Sequence, residues 1–301
     1  MGDEVKQMQR TEDGVAFEDG VTTLPDGREM AWRWWGDAGD APVLRIQGTP
    51  ASCLYRNPDT SVQRELGVRY LMIDRPGYGG STRKKGRGIA DVADDLAAVV
   101  RAQGIDRIPA MGTSGGGPHV LALSALHPEL VAAATVVVGG TPLEPNEVDQ
   151  LVGVNAQGYA AAEKGWQELF DLLVEVRKRL LGSEGMAGVL KDAPETDRKL
   201  MADPAWQRIE RENLAETLKQ GAEGWTDESY AMHQPWDFEP ADIKTSVTWW
   251  HGDDDKNAPL SAARRVVAQL PKVDLHVWRA EGHFASLTHD REIVADLLSR
   301  S

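Results

Sequence analysis

Short apolar runs at residues 43–46, 70–73, 108–111 and 134–138 alternate with polar-faced segments, and this alternation constrains the fold more than any other feature. Each run is too short for a buried helix and long enough for a strand covered on both faces. Before the third run, Val92, Leu96, Val99 and Val100 recur at helical spacing, with Asp91, Asp94 and Asp95 near the start and Gly104 just past the end. Acidic residues favour a helix N-terminus and glycine its C-terminal cap. The pattern predicts an α/β fold: a mostly parallel central sheet with helices on both faces, because parallel strands need crossover connections. Ahead of it, Pro25-Asp26-Gly27 separates residues 21–24 from 30–35, which predicts a β-hairpin. Polar residues 1–15 are expected to fray.

The alternation stops after Gly139-Gly140-Thr141-Pro142. Residues 141–245 carry helical patterns and no strand signal. Trp166, Phe170, Leu173 and Leu180 share one face of a predicted helix. Asp203-Pro204 opens another, which carries Trp206, Ile209 and Leu218 and closes at Gly221. Strand patterns resume at 247–250 and 273–278. The expected organisation is a core of residues 1–140 and 246–301, with residues 141–245 inserted as a helical cap, or lid.

Composition narrows the partners. A formal net charge of −14 works against nucleic acid and anionic membrane surfaces. Cys53 stands alone, which excludes an intrachain disulfide and fits a reducing compartment. No run of about 20 apolar residues is present to span a bilayer, and residues 1–6 lack the apolar core of a signal peptide. The expectation is a cytoplasmic protein, monomer or homodimer, without nucleic-acid or membrane partners.

Chemistry concentrates at Gly112-Thr113-Ser114-Gly115-Gly116, which ends the third apolar run. A serine hydroxyl is a weak nucleophile until a turn presents it and a base takes its proton. Gly112 and Gly116 suit a turn too tight for a Cβ at either place. Two later segments, His251-Gly252-Asp253-Asp254-Asp255-Lys256-Asn257-Ala258-Pro259 and Glu281-Gly282-His283-Phe284, each follow a strand pattern. Open α/β sheets bind ligands in such loops beyond the carboxyl ends of strands.

With these segments, Asp74-Arg75-Pro76-Gly77-Tyr78-Gly79-Gly80-Ser81 and Gln47-Gly48-Thr49-Pro50, nearly the whole chain resembles the α/β-hydrolase-fold superfamily. Pro235-Trp236-Asp237-Phe238 is similar to a segment of a broad bacterial subgroup of it, esterase-like and lid-bearing. The resemblance implies a cofactor-independent serine hydrolase acting on a small-molecule acyl substrate: an ester, lactone or thioester cleaved through an acyl-enzyme. It assigns Ser114 as nucleophile, His283 as base and Asp255 as the acid that orients it. Backbone N–H groups of Thr49 and Gly115 would bind the oxyanion, with Gly48, Gly112 and Gly116 shaping the loops. Asp254 is the rival acid, since three aspartates are consecutive; spacing to Pro259 favours Asp255. A thioesterase or cyclase acting on a biosynthetic intermediate and an iminopeptidase-like amidase use the same triad. A non-catalytic ligand-binding protein is the alternative from another class.

Some residues depart from the pattern. Gln47 stands where a histidine is usual, and Arg45 shares its strand face, either paired internally or reaching an anionic substrate. Gln47, Arg45, Trp166 and Phe170 are the candidate substrate-binding side chains. Pro109 would remove a ladder donor near the start of its strand. Residues 83–87, Arg-Lys-Lys-Gly-Arg, are expected to be a solvated loop or pocket rim. No His/Asp pairing has metal-ligand spacing, so no metal is expected.

Overall fold

The alternating runs pair into one twisted sheet. The computed structural model describes residues 9–10, 14–183, 185–186 and 190–301. Its strands are β1 (Gln9–Arg10), β2 (Ala16–Thr23), β3 (Glu29–Trp35), β4 (Ala41–Ile46), β5 (Val68–Ile73), β6 (Ile108–Thr113), β7 (Val131–Val137), β8 (Val247–Gly252) and β9 (Val273–Trp278). They lie in the order β1-β2-β3-β5-β4-β6-β7-β8-β9. The first three pairings are antiparallel and the rest, from β5–β4 onward, parallel. The predicted hairpin joins β2 to β3, closed by the Leu24 N–H on the Arg28 carbonyl at 2.8 Å. The expected fraying falls mostly outside the described residues, and Gln9–Arg10 is paired with β2.

The helices are α1 (Ser61–Leu66), α2 (Ile89–Ala102), α3 (Gly116–Leu126), α4 (Pro145–Val148), α5 (Gly153–Ala162), α6 (Trp166–Leu181), α7 (Glu195–Met201), α8 (Pro204–Thr217), α9 (Glu223–His233), α10 (Leu260–Val267), α11 (Ala285–Thr288) and α12 (Asp290–Ser299). Apolar faces of α2, α3 and α10 cover one side of the sheet, where Val92, Leu96, Val100, Leu121 and Val266 are buried with Leu44, Ile46 and Val136. On the other side, Ile293, Val294 and Leu297 of α12 pack with Met72, Met111 and Val137. Each fully buried aliphatic side chain contributes on the order of 1.5–3 kcal/mol, so the two clusters anchor the sheet from both faces.

Between β7 and β8 the described chain forms helices α4 to α9 and no strand. Asp203 caps α8 through its carboxylate, which accepts the Ala205 N–H at 2.7 Å. The seam of α6 lies one position around from the expected face: Leu169, Leu173, Val176 and Leu180 are buried, packed with Leu214, Leu218 and Trp225. Trp166 and Phe170 instead stack on each other at 5.1 Å. Pro109 falls where the β6–β7 register slips between Ile108 and Ala110, so its missing N–H interrupts no regular ladder bond. Among the described residues no helix is long and apolar enough to cross a membrane.

Candidate active site

The turn between β6 and α3 forces Ser114 into an unusual backbone shape, φ +53°, which aims its hydroxyl away from the sheet. Non-glycine residues rarely hold this conformation, so the turn must be fixed by its neighbours. A Cβ at Gly112 would lie 2.2 Å from the Gly116 carbonyl oxygen, and one at Gly116 would lie 2.2 Å from that of Ile46. Glycine at both places is a packing requirement. At Gly115 a Cβ would lie 2.1 Å from the Thr49 hydroxyl, so Thr49 and Gly115 abut directly beside Ser114.

Loops beyond β8 and β9 bring two further side chains to this turn. His283 Nε2 accepts the Ser114 hydroxyl at 2.9 Å, and its Nδ1–H donates to Asp255 Oδ2 at 2.8 Å. The other carboxylate oxygen of Asp255 accepts the N–H groups of Asn257 at 2.8 Å and Ala258 at 2.9 Å. Burial opposes charge on Asp255, but His283 beside it and these donors outweigh that and hold the carboxyl below its ordinary range. Burial likewise lowers the His283 imidazole, and Asp255 more than reverses this, leaving it above its ordinary value. The neighbouring aspartates point elsewhere: Asp254 pairs with Lys256 at 2.8 Å, and Asp253 accepts the Ala280 N–H at 2.6 Å. His251 accepts the Trp249 indole N–H at 3.1 Å and donates to the Ala258 carbonyl at 2.7 Å, bracing the loop that carries Asp255.

Residues 41–290 match the model of the alpha/beta hydrolase fold family. The chain belongs to that family. It is 25% identical over 279 residues to the 2-hydroxy-6-oxononadienedioate/2-hydroxy-6-oxononatrienedioate hydrolase of Burkholderia vietnamiensis, covering 89% of this chain and 90% of that one. It is 24% identical to the non-heme haloperoxidase of Rhodococcus erythropolis, covering 92% and 97% of the two chains. Among solved structures, a hydrolase from Pseudomonas aeruginosa superposes with TM-score 0.70 at 19% identity, over 93% of this chain and 98% of that one. The enol-lactonase of Burkholderia xenovorans superposes with TM-score 0.66 at 17% identity, over 93% and 100%. Family and named relatives make the chain a hydrolase-fold enzyme.

Inside that family frame, the helices inserted between β7 and β8 supply two carboxylates to the loops around Ser114. Glu228 of α9 is fully buried and binds the Arg75 guanidinium, Nε to Oε2 at 2.8 Å and Nη2 to Oε1 at 2.6 Å. Arg87 reaches Oε2 at 2.6 Å, and the Thr49 hydroxyl donates to Oε1. Burial opposes this charge too, yet two guanidinium groups hold Glu228 far below the usual carboxylate range. Arg75 then donates to the carbonyls of Gln47 at 2.6 Å and Gly48 at 2.7 Å, fixing the loop that carries Thr49. Asp197 of α7 accepts the backbone N–H groups of His283 and Phe284, both at 3.1 Å, and so holds the histidine loop.

A cavity of about 270 Å³ opens over Ser114. Thr49, Gly115 and His283 line it, together with cap residues Val176, Leu180 and Trp225. The four side chains expected to bind substrate do not. Gln47 is buried and donates to the Ile73 carbonyl at 3.2 Å. Arg45 pairs internally with Asp290 at 3.2 Å, the first of its two expected alternatives. Trp166 donates its indole N–H to Asp227 at 2.8 Å, stacked on Phe170 away from the cavity wall.

The basic run departs from its expected solvation as well: Arg87 is buried on Glu228 and Arg83 pairs with Asp227 at 2.6 Å. Arg75 stood in a quoted motif without a role, and Glu228 and Asp197 carried no signal. Their positions on helices of the cap gave no hint of which core loop each would meet.

Proposed function

We propose that this enzyme is a serine hydrolase that cleaves a carboxylic ester or related acyl bond through an acyl-enzyme, with Ser114 as nucleophile. The observation that carries this reading is the Ser114 hydroxyl in line with His283 Nε2 on a strained turn at the cavity floor. As Ser114 Oγ attacks the carbonyl carbon, His283 takes its proton, and Asp255 stabilises the imidazolium that forms. The proton then passes to the leaving-group oxygen as the acyl–oxygen bond breaks. Water, deprotonated by His283, repeats the sequence and releases the acid.

The oxyanion would lie against the N–H groups of Thr49 and Gly115. Arg75 bears on this step because the carbonyl it binds at Gly48 belongs to the same peptide unit as the Thr49 N–H. A cation on the carbonyl end of a peptide polarises its N–H into a better donor. Losing one such donor typically costs about 10²–10³ in rate, so modest tuning of it matters. Hydrolysis of a dicarboxylate, as printed for the Burkholderia vietnamiensis relative, is less suited to this chain. The described residues lining the cavity include Asp192 and Glu210 and no lysine or arginine.

A fluorophosphonate probe tests the reading directly. The folded protein is expected to gain one adduct by mass, located on Ser114, and Ser114→Ala is expected to gain none. A folded wild type that stays unlabelled would sink the serine-hydrolase reading, and labelling retained in Ser114→Ala would sink the site. A panel of p-nitrophenyl esters, lactones and acyl thioesters then ranks the acyl classes.

A further inference from the structure

The wall of the same cavity holds a carboxyl group that the chemistry above does not use. Glu210, on α8, is 6% exposed and lines the cavity with Ser114. Its polar neighbours are neutral: Asn213 donates its amide N–H to Oε2 at 3.4 Å, and the Tyr55 hydroxyl hydrogen-bonds to the carboxyl. Asn213 cannot turn away, because its side-chain oxygen accepts the Ser52 N–H at 2.9 Å and the Thr217 hydroxyl at 3.2 Å. The cation beyond Tyr55, Arg45, is already paired with Asp290. Other carboxylates of the cap meet protein partners, Arg75 and Arg87 for Glu228 and backbone N–H groups for Asp197. Among the described residues, Glu210 faces the cavity with no counter-charge.

A buried carboxylate without a cation is costly, and either a proton or a cation from outside relieves the cost. The cavity favours a cation. Its charged lining residues apart from His283 are Asp192 and Glu210, and Tyr55, Trp225 and Phe284 add aromatic surface. Aromatic faces attract alkylated ammonium groups. The chain's net charge of −14 draws cations toward its surface.

We propose that the acyl substrate carries a cationic, alkylated nitrogen, and that Glu210 is the specificity-determining residue that receives it. This deepens the serine-hydrolase reading and rests on it. Burial pushes the Glu210 carboxyl up to about 7, against the opposing hydrogen bonds of Asn213 and Tyr55. Cation binding therefore strengthens as pH rises through that value and the carboxylate forms.

Matched ester pairs that differ only in charge provide the test. Butyrylcholine is compared with 3,3-dimethylbutyl butanoate, and methyl 4-(trimethylammonio)butanoate with methyl 5,5-dimethylhexanoate. The first pair places the charge on the alcohol side and the second on the acyl side. Each ester is scored by how far it slows fluorophosphonate labelling of Ser114, a readout that does not depend on turnover. Taking the ratio within a pair removes the effect of His283 on the labelling rate, and Glu210→Gln, which keeps His283, shows what repulsion by its imidazolium adds.

In at least one pair, the cationic member should protect better at pH 8 by on the order of tenfold. The ratio should shrink toward pH 6 and fall to near one at both pH values in Glu210→Gln. Equal or better protection by the neutral member of both pairs would overturn the proposal, as would a cationic preference that survives in Glu210→Gln. A neutral preference at low pH that disappears in Glu210→Gln would make Glu210 a hydrogen-bond donor to an uncharged oxygen instead. Absence of labelling without any ester removes the serine-hydrolase reading itself, a result distinct from all of these.

Discussion

Three consecutive aspartates pose a question that only geometry separates. Asp255 has one oxygen on His283 and the other on two backbone N–H groups, while Asp254 lies half-exposed beside Lys256. An amide at 255 would lose the charge that stabilises the imidazolium and present the wrong group to His283 Nδ1–H. Asp255→Asn should therefore lower kcat by about 10⁴-fold, the scale of a triad acid made neutral. Asp254→Asn removes an exposed ion pair and should leave kcat within about twofold of wild type. Steady-state hydrolysis of a p-nitrophenyl ester by the two purified variants decides; comparable mild losses in both would contradict the assignment. At this scale the sequence was informative for residues whose identity the chemistry dictates: Ser114, His283 and Asp255 each sit in a loop directly after a strand. Glu210 was not legible, because what sets it apart is hydrogen bonding to neutral groups without a counter-charge among the described residues, which no local pattern records.

Helices inserted between β7 and β8 meet the loops around Ser114 through single carboxylates, and that contact belongs to the element rather than to the residue. The apolar seam of α6 against α8 and α9 places Glu228 beneath the loop between β4 and α1, and Met201 of α7, packed with Trp206 and Leu287, places Asp197 against the loop after β9. Periodicity made the helical character of this segment readable and the pairing of its strandless chain with the core unreadable. A helix pattern fixes which residues share a face and leaves open what that face meets. The same limit explains Arg87 in the basic run at 83–87, which a carboxylate distant in sequence, Glu228, buries while Lys85 stays exposed as expected. Glu228→Gln leaves two guanidinium groups buried without their anion, a loss of about 3–5 kcal/mol by the usual cost of breaking a buried pair from one side. It also frees Arg75 from its bidentate hold, and with it the carbonyls of Gln47 and Gly48. The expected outcome is a lower melting temperature together with a kcat reduced about tenfold or more, KM changing less, since the oxyanion loop bears on the transition state more than on the bound ester. Thermal melts and Michaelis–Menten curves on the same preparations check it. A variant with lowered stability and unaltered kcat would confine Glu228 to a structural role.

At the scale of the whole molecule, these polar contacts join the inserted helices to the core alongside apolar clusters that both share. Leu169, Leu173, Leu214 and Trp225 cluster with Tyr78 of the core, Met201 and Trp206 pack with Leu287, and Ala231, Phe238 and Ile243 join the cluster on one face of the sheet. Shared apolar packing opposes separate unfolding of the inserted helices, and the buried polar links add to it at the loops beside Ser114. Glu228 with Arg75 and Arg87, and Asp197 with the backbone of residues 283 and 284, cross from cap to core at the two loops that flank Ser114. Loss of both links should therefore loosen the loops beside Ser114 before the sheet opens. In wild type, tryptophan fluorescence and fluorophosphonate labelling of Ser114 should fall together along a urea titration, because buried tryptophans lie in both parts: Trp34 and Trp249 beside the sheet, Trp206 and Trp225 in the inserted helices. In a Glu228→Gln, Asp197→Asn double variant the labelling transition should move to lower urea than far-ultraviolet circular dichroism, which follows the sheet and the remaining helices. Coincident transitions in the double variant would mean that apolar packing alone binds cap to core, and that the two carboxylates position the loops without holding the molecule together.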